Sequence, residues 1–146
     1  MGSASRHAIT SSKAALAGLG AKANLALGEQ LFAAGRAFAE SAQLRAVLAD
    51  PAVSDADKSS LLGKVFGKGL DATSSKLLGQ IVSYRWSNQD DLLAGVEEIA
   101  IRAAVSGAKK NEAVDAELFA FSRAVSSDAE LELSLGSKLG NPDAKA

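Results

Sequence analysis

Three stretches of the chain carry apolar residues in groups that recur at helical spacing. They are Leu61, Leu62, Val65 and Phe66; Leu77, Leu78, Ile81 and Val82; and Leu92, Leu93, Val96, Ile99 and Ala100. The pairs repeat at about i, i+1, i+4 and i+5, which forms one stripe along a helix and does not fit the alternation of a strand. Aromatic residues make up only 5% of the chain and alanine is its commonest apolar residue, which favours closely packed helices over a sheet. The sequence therefore predicts an all-α fold.

Start and stop signals divide the chain into helical segments. A serine followed three residues later by an acid, the pattern of a helix N-cap, occurs at Ser54 with Asp57 and at Ser87 with Asp90. Helix ends are predicted before Pro51 and at three glycines that tolerate a left-handed turn, Gly67, Gly69 and Gly107. The predicted helices lie near residues 5–19, 24–41, 42–49, 55–66, 72–86 and 88–106, a six-helix bundle. The second is the weakest, since Gly28 and Gly35 each cost about 1 kcal/mol relative to Ala.

An internal repeat begins after the bundle. Residues 29–36 (EQLFAAGR) align with residues 116–123 (AELFAFSR), after a polar stretch at Lys109, Lys110 and Asn111. We expect residues 1–107 to form the bundle and residues 108–146 to be a linker followed by one or two extra helices that begin a truncated second repeat. Because this second copy lacks counterparts of the later bundle helices, we expect the chain to be either a fragment of a longer parent or a chain with a poorly packed tail.

Composition and charge exclude several functional classes. The net charge is -1 with both signs spread along the chain, so a nucleic-acid binder is not expected. There is no cysteine, and no run approaches the roughly 20 apolar residues of a membrane span. The first 28 residues contain Arg6, Lys13 and Lys22 but no acid, which fits either a targeting peptide or, preferably, a mildly basic docking helix.

No residue pattern predicts catalysis, a metal or a cofactor. His7 is the only histidine and has no acid near it in the sequence, so we expect it to be an exposed surface residue. The glycines and lysines of residues 63–69 have the wrong spacing for a phosphate loop and follow a helix. The acidic pairs at 90–91 and 97–98 are expected to form a solvated face. The chain is therefore predicted not to be an enzyme.

Residues 84–87 (YRWS) hold the only tyrosine and the only tryptophan of the chain. Large amphipathic side chains of this kind are enriched where helices bind partners. They also plug the ends of helical bundles. Both interpretations of Trp86 stay open at this stage.

With these features in place, the chain resembles the delta subunit of F-type ATP synthase, the relative of the oligomycin-sensitivity-conferring protein, in its long actinobacterial form. The resemblance lies in three segments that cover most of residues 25–142 in the order and spacing of the family: LGEQLFAAGRAFAESAQLRAVLADPAVSDADKSSLLGKVFG, SYRWSNQDDLLAGVEEIAIRA and AELFAFSRAVSSDAELELSLGSKLGNP. No single short motif among them would be as specific.

The resemblance implies a non-catalytic stator role. Members hold the amphipathic N-terminal helix of an alpha subunit in a groove between their first and fifth helices, and join the b-type peripheral stalk at their other end. Carried to this sequence, the groove residues are Ala8, Ile9, Ser12, Leu78, Ile81, Val82 and Arg85. The implied location is the cytoplasmic face of the cell membrane, with the membrane contacted only through the complex.

Two alternatives to this role remain. The chain could be a free-standing helical adaptor that binds another amphipathic helix. It could also be a helical enzyme subunit processed after targeting.

Overall fold

The computed structural model describes residues 1–108 and 120–123, and the chain divides into two compact units, Met1–Ala108 and Lys109–Ala146. The first unit contains six α-helices: α1 (Ser3–Ala17), α2 (Leu25–Glu40), α3 (Ala42–Ala49), α4 (Asp55–Phe66), α5 (Ala72–Ser83) and α6 (Gln89–Ala108). Short 3₁₀ turns, Gly20–Lys22 and Gly67–Gly69, follow α1 and α4. The predicted all-α fold and six-helix bundle are confirmed. The predicted second repeat lies outside the described residues except for residues 120–123, which are helical.

Polar side chains cap the starts of five helices by accepting a hydrogen bond from the backbone N–H three residues on. The capping residues of α2 to α6 are Asn24, Ser41, Ser54, Asp71 and Asn88. The cap predicted at Ser54 is confirmed, whereas the one predicted at Ser87 is wrong. Ser87 is not free to cap α6 because it bonds to α1, as described below.

The predicted helix ends are partly confirmed. The helix before Pro51 ends at Ala49, and Gly67 adopts a left-handed turn with a φ of 52°. Gly107 is the last residue but one of α6 and does not adopt the predicted left-handed turn; an added Cβ there would be 3.1 Å from the Cα atom of Asn24. This glycine therefore serves a close approach between α6 and the start of α2.

α5 ends at Ser83, three residues earlier than predicted, and two side chains donate hydrogen bonds to its last carbonyl groups. The indole Nε1 of Trp86 turns back and donates to the carbonyl oxygen of Ile81 at 2.9 Å. The Nζ of Lys58, on α4, donates to the carbonyl oxygen of Val82 at 3.2 Å. The carbonyl of Val82 is one of the acceptors that a helix leaves unpaired at its C-terminus, whereas that of Ile81 also accepts from the N–H of Tyr84 at 3.3 Å.

The centre of the bundle is the contact between α2 and α6, the most extensive one between helices of the unit. Side chains of both helices that face this contact are fully buried: Leu31, Ala34, Phe38, Leu92, Val96 and Ile99. An added Cβ on Gly28 would lie only 2.8 Å from the Cβ of Ala104, so glycine permits this close crossing. The helix that the sequence marked as weakest is thus the central one.

α4 is more peripheral than its apolar stripe predicted. Leu62 is buried, but Val65 is 44% exposed. Besides its packing on α5, the helix contacts the core through Phe66, whose ring lies 6.1 Å from that of Phe38 in a tilted arrangement.

Candidate functional site: the surface between α1 and α5

α1 packs against both α5 and α6 through a narrow buried stripe. The stripe consists of Ser5, Ala8, Ile9, Ser12 and Leu16. Only two of these side chains are large, because the remaining positions are alanine or serine. α1 therefore lies close to its neighbours while burying little apolar area.

Ser5 fastens the N-terminal end of α1 to the start of α6. Its backbone N–H donates to the Oγ of Ser87 at 3.3 Å, and its own Oγ accepts from the N–H of Ser87 at 2.9 Å. The same hydroxyl donates to the carboxylate of Asp91 at 2.6 Å. A fully buried serine thus makes three bonds across 82 and 86 residues of sequence. Polar bonds rather than large apolar contacts fix this end of α1.

An ion pair holds the other half of α1. The Nζ of Lys13 lies 2.8 Å from the carboxylate of Glu98 on α6, which also pairs with Arg102 at 3.0 Å. Lys13, acting with Arg102 against the opposing effect of burial, keeps the pKa of Glu98 below its usual range. Asp91 and Glu98 were expected on a solvated face, but both of them tie α1 to α6.

α5 contributes a fully buried stripe that contains Leu78, Ile81 and Val82. One edge of this helix faces α4, since Lys58 reaches Val82 and an added Cβ on Gly79 would be 3.7 Å from the Oγ of Ser59. Burial lowers the pKa of Lys58, and the nearby Asp55 and Asp50 oppose this shift. The edge of α5 away from α4 carries the half-buried Thr73 and the exposed Gln80.

The predicted groove residues lie on two helices that touch, but six of the seven are covered by the chain itself. Ala8, Ile9 and Ser12 on α1 and Leu78, Ile81 and Val82 on α5 all belong to the buried interior. Only Arg85, in the link after α5, is exposed. Their role as direct contacts of a partner stays a prediction.

The accessible residues between the two helices follow from the angular order of the side chains. Successive residues turn by about 100°, so Ala4, Ser11 and Ala15 lie on one edge of the buried stripe of α1 and Lys13 on the other. Because Lys13 faces α6, the edge with Ala4, Ser11 and Ala15 faces α5. Together with Thr73 and Gln80 these residues form what we call the α1–α5 surface. The pattern of apolar stripes in the sequence would not reveal this surface, because none of its members is a large apolar residue.

An open cleft of about 630 Å³ continues this surface beyond the end of α5. Its lining comes from the start of α1, the end of α3 and the link that follows it, and the link before α6: Ser3, Ala4, Ala49, Pro51, Arg85, Trp86, Ser87 and Asn88. Trp86 is only 4% exposed, and an added Cβ on Gly95 would collide with its ring. The interpretation of Trp86 as a plug of the bundle is therefore confirmed.

The remaining sequence candidates do not assemble into a chemical site. His7 is exposed, and Gly63 and Lys64 lie within α4 rather than in a loop. Within residues 1–108 and 120–123, no three His, Cys, Asp or Glu side chains are grouped as metal ligands would be. No helix in the same part of the chain has the length and apolar character needed to cross a membrane.

Comparison with known proteins agrees with the resemblance seen in the sequence. A sequence model of the ATP synthase delta (OSCP) subunit matches residues 14–95. The ATP synthase subunit delta of Leifsonia xyli subsp. xyli is 55% identical over 146 residues, which cover 100% of this chain and 55% of that protein. The subunit delta of Acidothermus cellulolyticus is 36% identical over 115 residues, covering 77% of this chain and 42% of the relative.

A third relative, the ATP synthase subunit delta of Streptomyces griseus subsp. griseus, is 33% identical over 151 aligned positions, covering 99% of this chain and 56% of that protein. The chain thus spans about half the length of the relatives that it matches. The match to the family model extends over more than half of the chain, from within α1 to within α6. The chain belongs to the ATP synthase delta (OSCP) subunit family.

Proposed function

We propose that the bundle is the head-binding part of a non-catalytic stator subunit of the proton-translocating ATP synthase. In this role the α1–α5 surface receives the amphipathic N-terminal helix of an alpha subunit, and the rest of the subunit joins the b-type peripheral stalk. The subunit would work at the cytoplasmic face of the cell membrane and meet the membrane only through the complex. Family membership supports the assignment to the synthase.

One observation carries the helix-binding part of the proposal. The edges of α1 and α5 that face each other carry small or uncharged side chains above a buried apolar floor, namely the half-buried Ala4, Ser11, Ala15 and Thr73 and the exposed Gln80. Small residues let a third helix approach closely, and a helix docks into such a surface through an apolar stripe at i, i+3, i+4 and i+7. α1 buries only two large side chains of its own, so a partner would complete its packing.

The mechanical role of a stator explains why such a contact needs no catalytic residues. A stator must resist the torque that the rotor exerts on the catalytic head, so the relevant property is slow dissociation. A stable contact of standard size buries about 800 Å² on each partner.

Isothermal titration calorimetry with the full chain and a synthetic alpha-subunit N-terminal peptide tests the proposal. We expect a 1:1 complex and a higher melting temperature, since a ligand at 100 times its Kd stabilises a protein by about 2.7 kcal/mol. Ser11→Trp, which fills the α1–α5 surface, should weaken binding about tenfold or more. Ala17→Trp, on an exposed position of the same helix, is the matched control and should bind normally. The absence of heat and of any melting shift would contradict the proposal.

The alternative of a free-standing adaptor makes a different prediction. It requires that another amphipathic helix bind more tightly than the alpha-subunit peptide. Location of the gene outside a group of synthase subunit genes would favour it.

A further inference from the structure

The acidic residues of this chain avoid the two helices that form the α1–α5 surface. Residues 1–28 and 72–89 contain five cations, Arg6, Lys13, Lys22, Lys76 and Arg85, and no Asp or Glu. Since the whole chain has a net charge of -1, the remaining residues together carry -6. The positive charge is therefore concentrated on the segments that contain α1 and α5.

Two of these cations border the α1–α5 surface and have no ion-pair partner among residues 1–108 and 120–123. Lys76 lies one turn from Gln80 on the exposed side of α5, and Arg85 lines the cleft at the end of that helix. Within the part of the chain that the structure describes, no carboxylate lies within ion-pair distance of either one. Arg6 and Lys13 differ, since they lie on the opposite edge of α1 and Lys13 is paired with Glu98.

The acids that flank this region are engaged elsewhere. Asp71 caps α5 and accepts a hydrogen bond from Gln30, and Asp91 accepts one from Ser5. Asp90 faces Arg45 of α3 at 3.9 Å. Neither these acids nor Asp50, which lies between the cleft residues Ala49 and Pro51, is within ion-pair distance of Lys76 or Arg85, so among the described residues both charges remain available to a partner.

We propose that the α1–α5 surface selects an acidic amphipathic helix, one whose apolar stripe is flanked by carboxylates that meet Lys76 and Arg85. The inference rests on the proposed function and adds the charge of the partner to it. From Lys76 to the end of α5 the chain rises about 10 Å, so the two carboxylates should lie at least two helical turns apart. Exposed charges at the rim of an interface set specificity and association rate more than affinity.

Two model peptides with the same apolar stripe, one flanked by Glu and the other by Lys at the same positions, provide the test. Titrated into the full chain at low salt, the acidic peptide should bind about tenfold more tightly than the basic one, and the difference should shrink at high salt because exposed charges are screened. The double variant Lys76→Glu with Arg85→Glu should reverse the preference. The control, Lys64→Glu with Lys68→Glu, makes the same change of charge on exposed residues around the end of α4 and should keep it.

The outcomes separate this inference from the proposed function. Equal binding of the two peptides, or a preference that the Lys76 and Arg85 variant leaves unchanged, overturns the charge selection and leaves the proposed function standing. If the alpha-subunit peptide binds but the acidic model peptide does not, the charge selection is again overturned. If neither the model peptides nor the alpha-subunit peptide bind, the proposed function itself fails.

Discussion

α1 and α2 both pack on α6, but through opposite kinds of contact. α2 crosses α6 at Gly28 with the two backbones in close approach, and large side chains such as Leu31 and Phe38 are fully buried. α1 is attached by the hydroxyl of Ser5 and the ion pair of Lys13, with little large apolar surface. The first contact holds the fold together, whereas the second orients a helix whose outer edge stays open. Binding surfaces are commonly drawn from such less stable parts of a fold.

Truncation of one large side chain in each helix should reveal the largest difference in unfolding free energy between the two contacts. Phe38→Ala removes a fully buried ring that packs on Phe66 and should cost about 3–5 kcal/mol. Ile9→Ala on α1 should cost about 2 kcal/mol, at the low end for such changes, because the site lies at the edge of the bundle. Urea denaturation followed by circular dichroism measures both. A loss at Ile9 as large as that at Phe38 would contradict the comparison.

The glycine at the crossing gives a second test. Gly28→Ala places a Cβ 2.8 Å from Ala104 and 2.9 Å from a backbone oxygen of α6, so it should destabilise the protein by about 1–3 kcal/mol. Gly63→Ala, inside α4 with no atom within 4 Å of the new Cβ, should instead stabilise it by about 0.5–1 kcal/mol. The same denaturation curves decide the sign. A neutral Gly28→Ala would show that α2 and α6 can move apart freely.

Removal of the Ser5 hydroxyl tests how α1 is fastened. Ser5→Ala leaves the Ser87 N–H and the Asp91 carboxylate without their partner and should cost about 1–2 kcal/mol. Thr10→Ala, which loses an exposed hydroxyl bonded within the same helix, should change stability by less than about 0.5 kcal/mol. Equal effects of the two substitutions would contradict the assigned role of Ser5.

The smallest expected effect is the pH dependence of the Lys13–Glu98 pair. Because the pKa of Glu98 is lower in the folded chain than in the unfolded one, its contribution is present above the unfolded value and is lost as the pH falls through the folded value. The stability difference between the native chain and Glu98→Gln should therefore shrink below about pH 4. Denaturation between neutral and acidic pH measures it. A difference that grows on acidification would reverse the assigned sign.

The helices and several of their ends could be predicted from the sequence, because local residue patterns determine them. Apolar periodicity predicted the three helices with stripes at residues 61–66, 77–82 and 92–100, and start and stop signals divided the rest of the bundle. The Ser54 cap and the stop at Pro51 follow from short-range chemistry. Long-range contacts account for the errors. From the sequence, Gly28 is predicted to weaken its helix, but in the structure it permits the close contact with α6. Ser87 is predicted to be a helix cap, but its backbone N–H and its hydroxyl are both hydrogen-bonded to Ser5.

The candidate site was predicted at the level of helices but not of side chains. An apolar stripe predicts which side chains a helix buries, so Leu78, Ile81 and Val82 could be identified from the sequence. Because they are apolar they are buried within the bundle, beneath the accessible surface. The accessible residues Ser11, Ala15 and Gln80 carry no distinctive local signal. Only the directions of the Lys13 and Lys58 contacts show which edges of α1 and α5 face each other.

Hydrogen–deuterium exchange of the full chain, with and without the alpha-subunit peptide, tests the central claim most directly. In the free chain the amides of α1 should exchange faster than those of α2 and α6, and the peptide should slow exchange most in α1 and α5. Equal protection of α1 and α2 in the free chain, or slowing confined to α3 and α4 on addition of the peptide, would contradict the account.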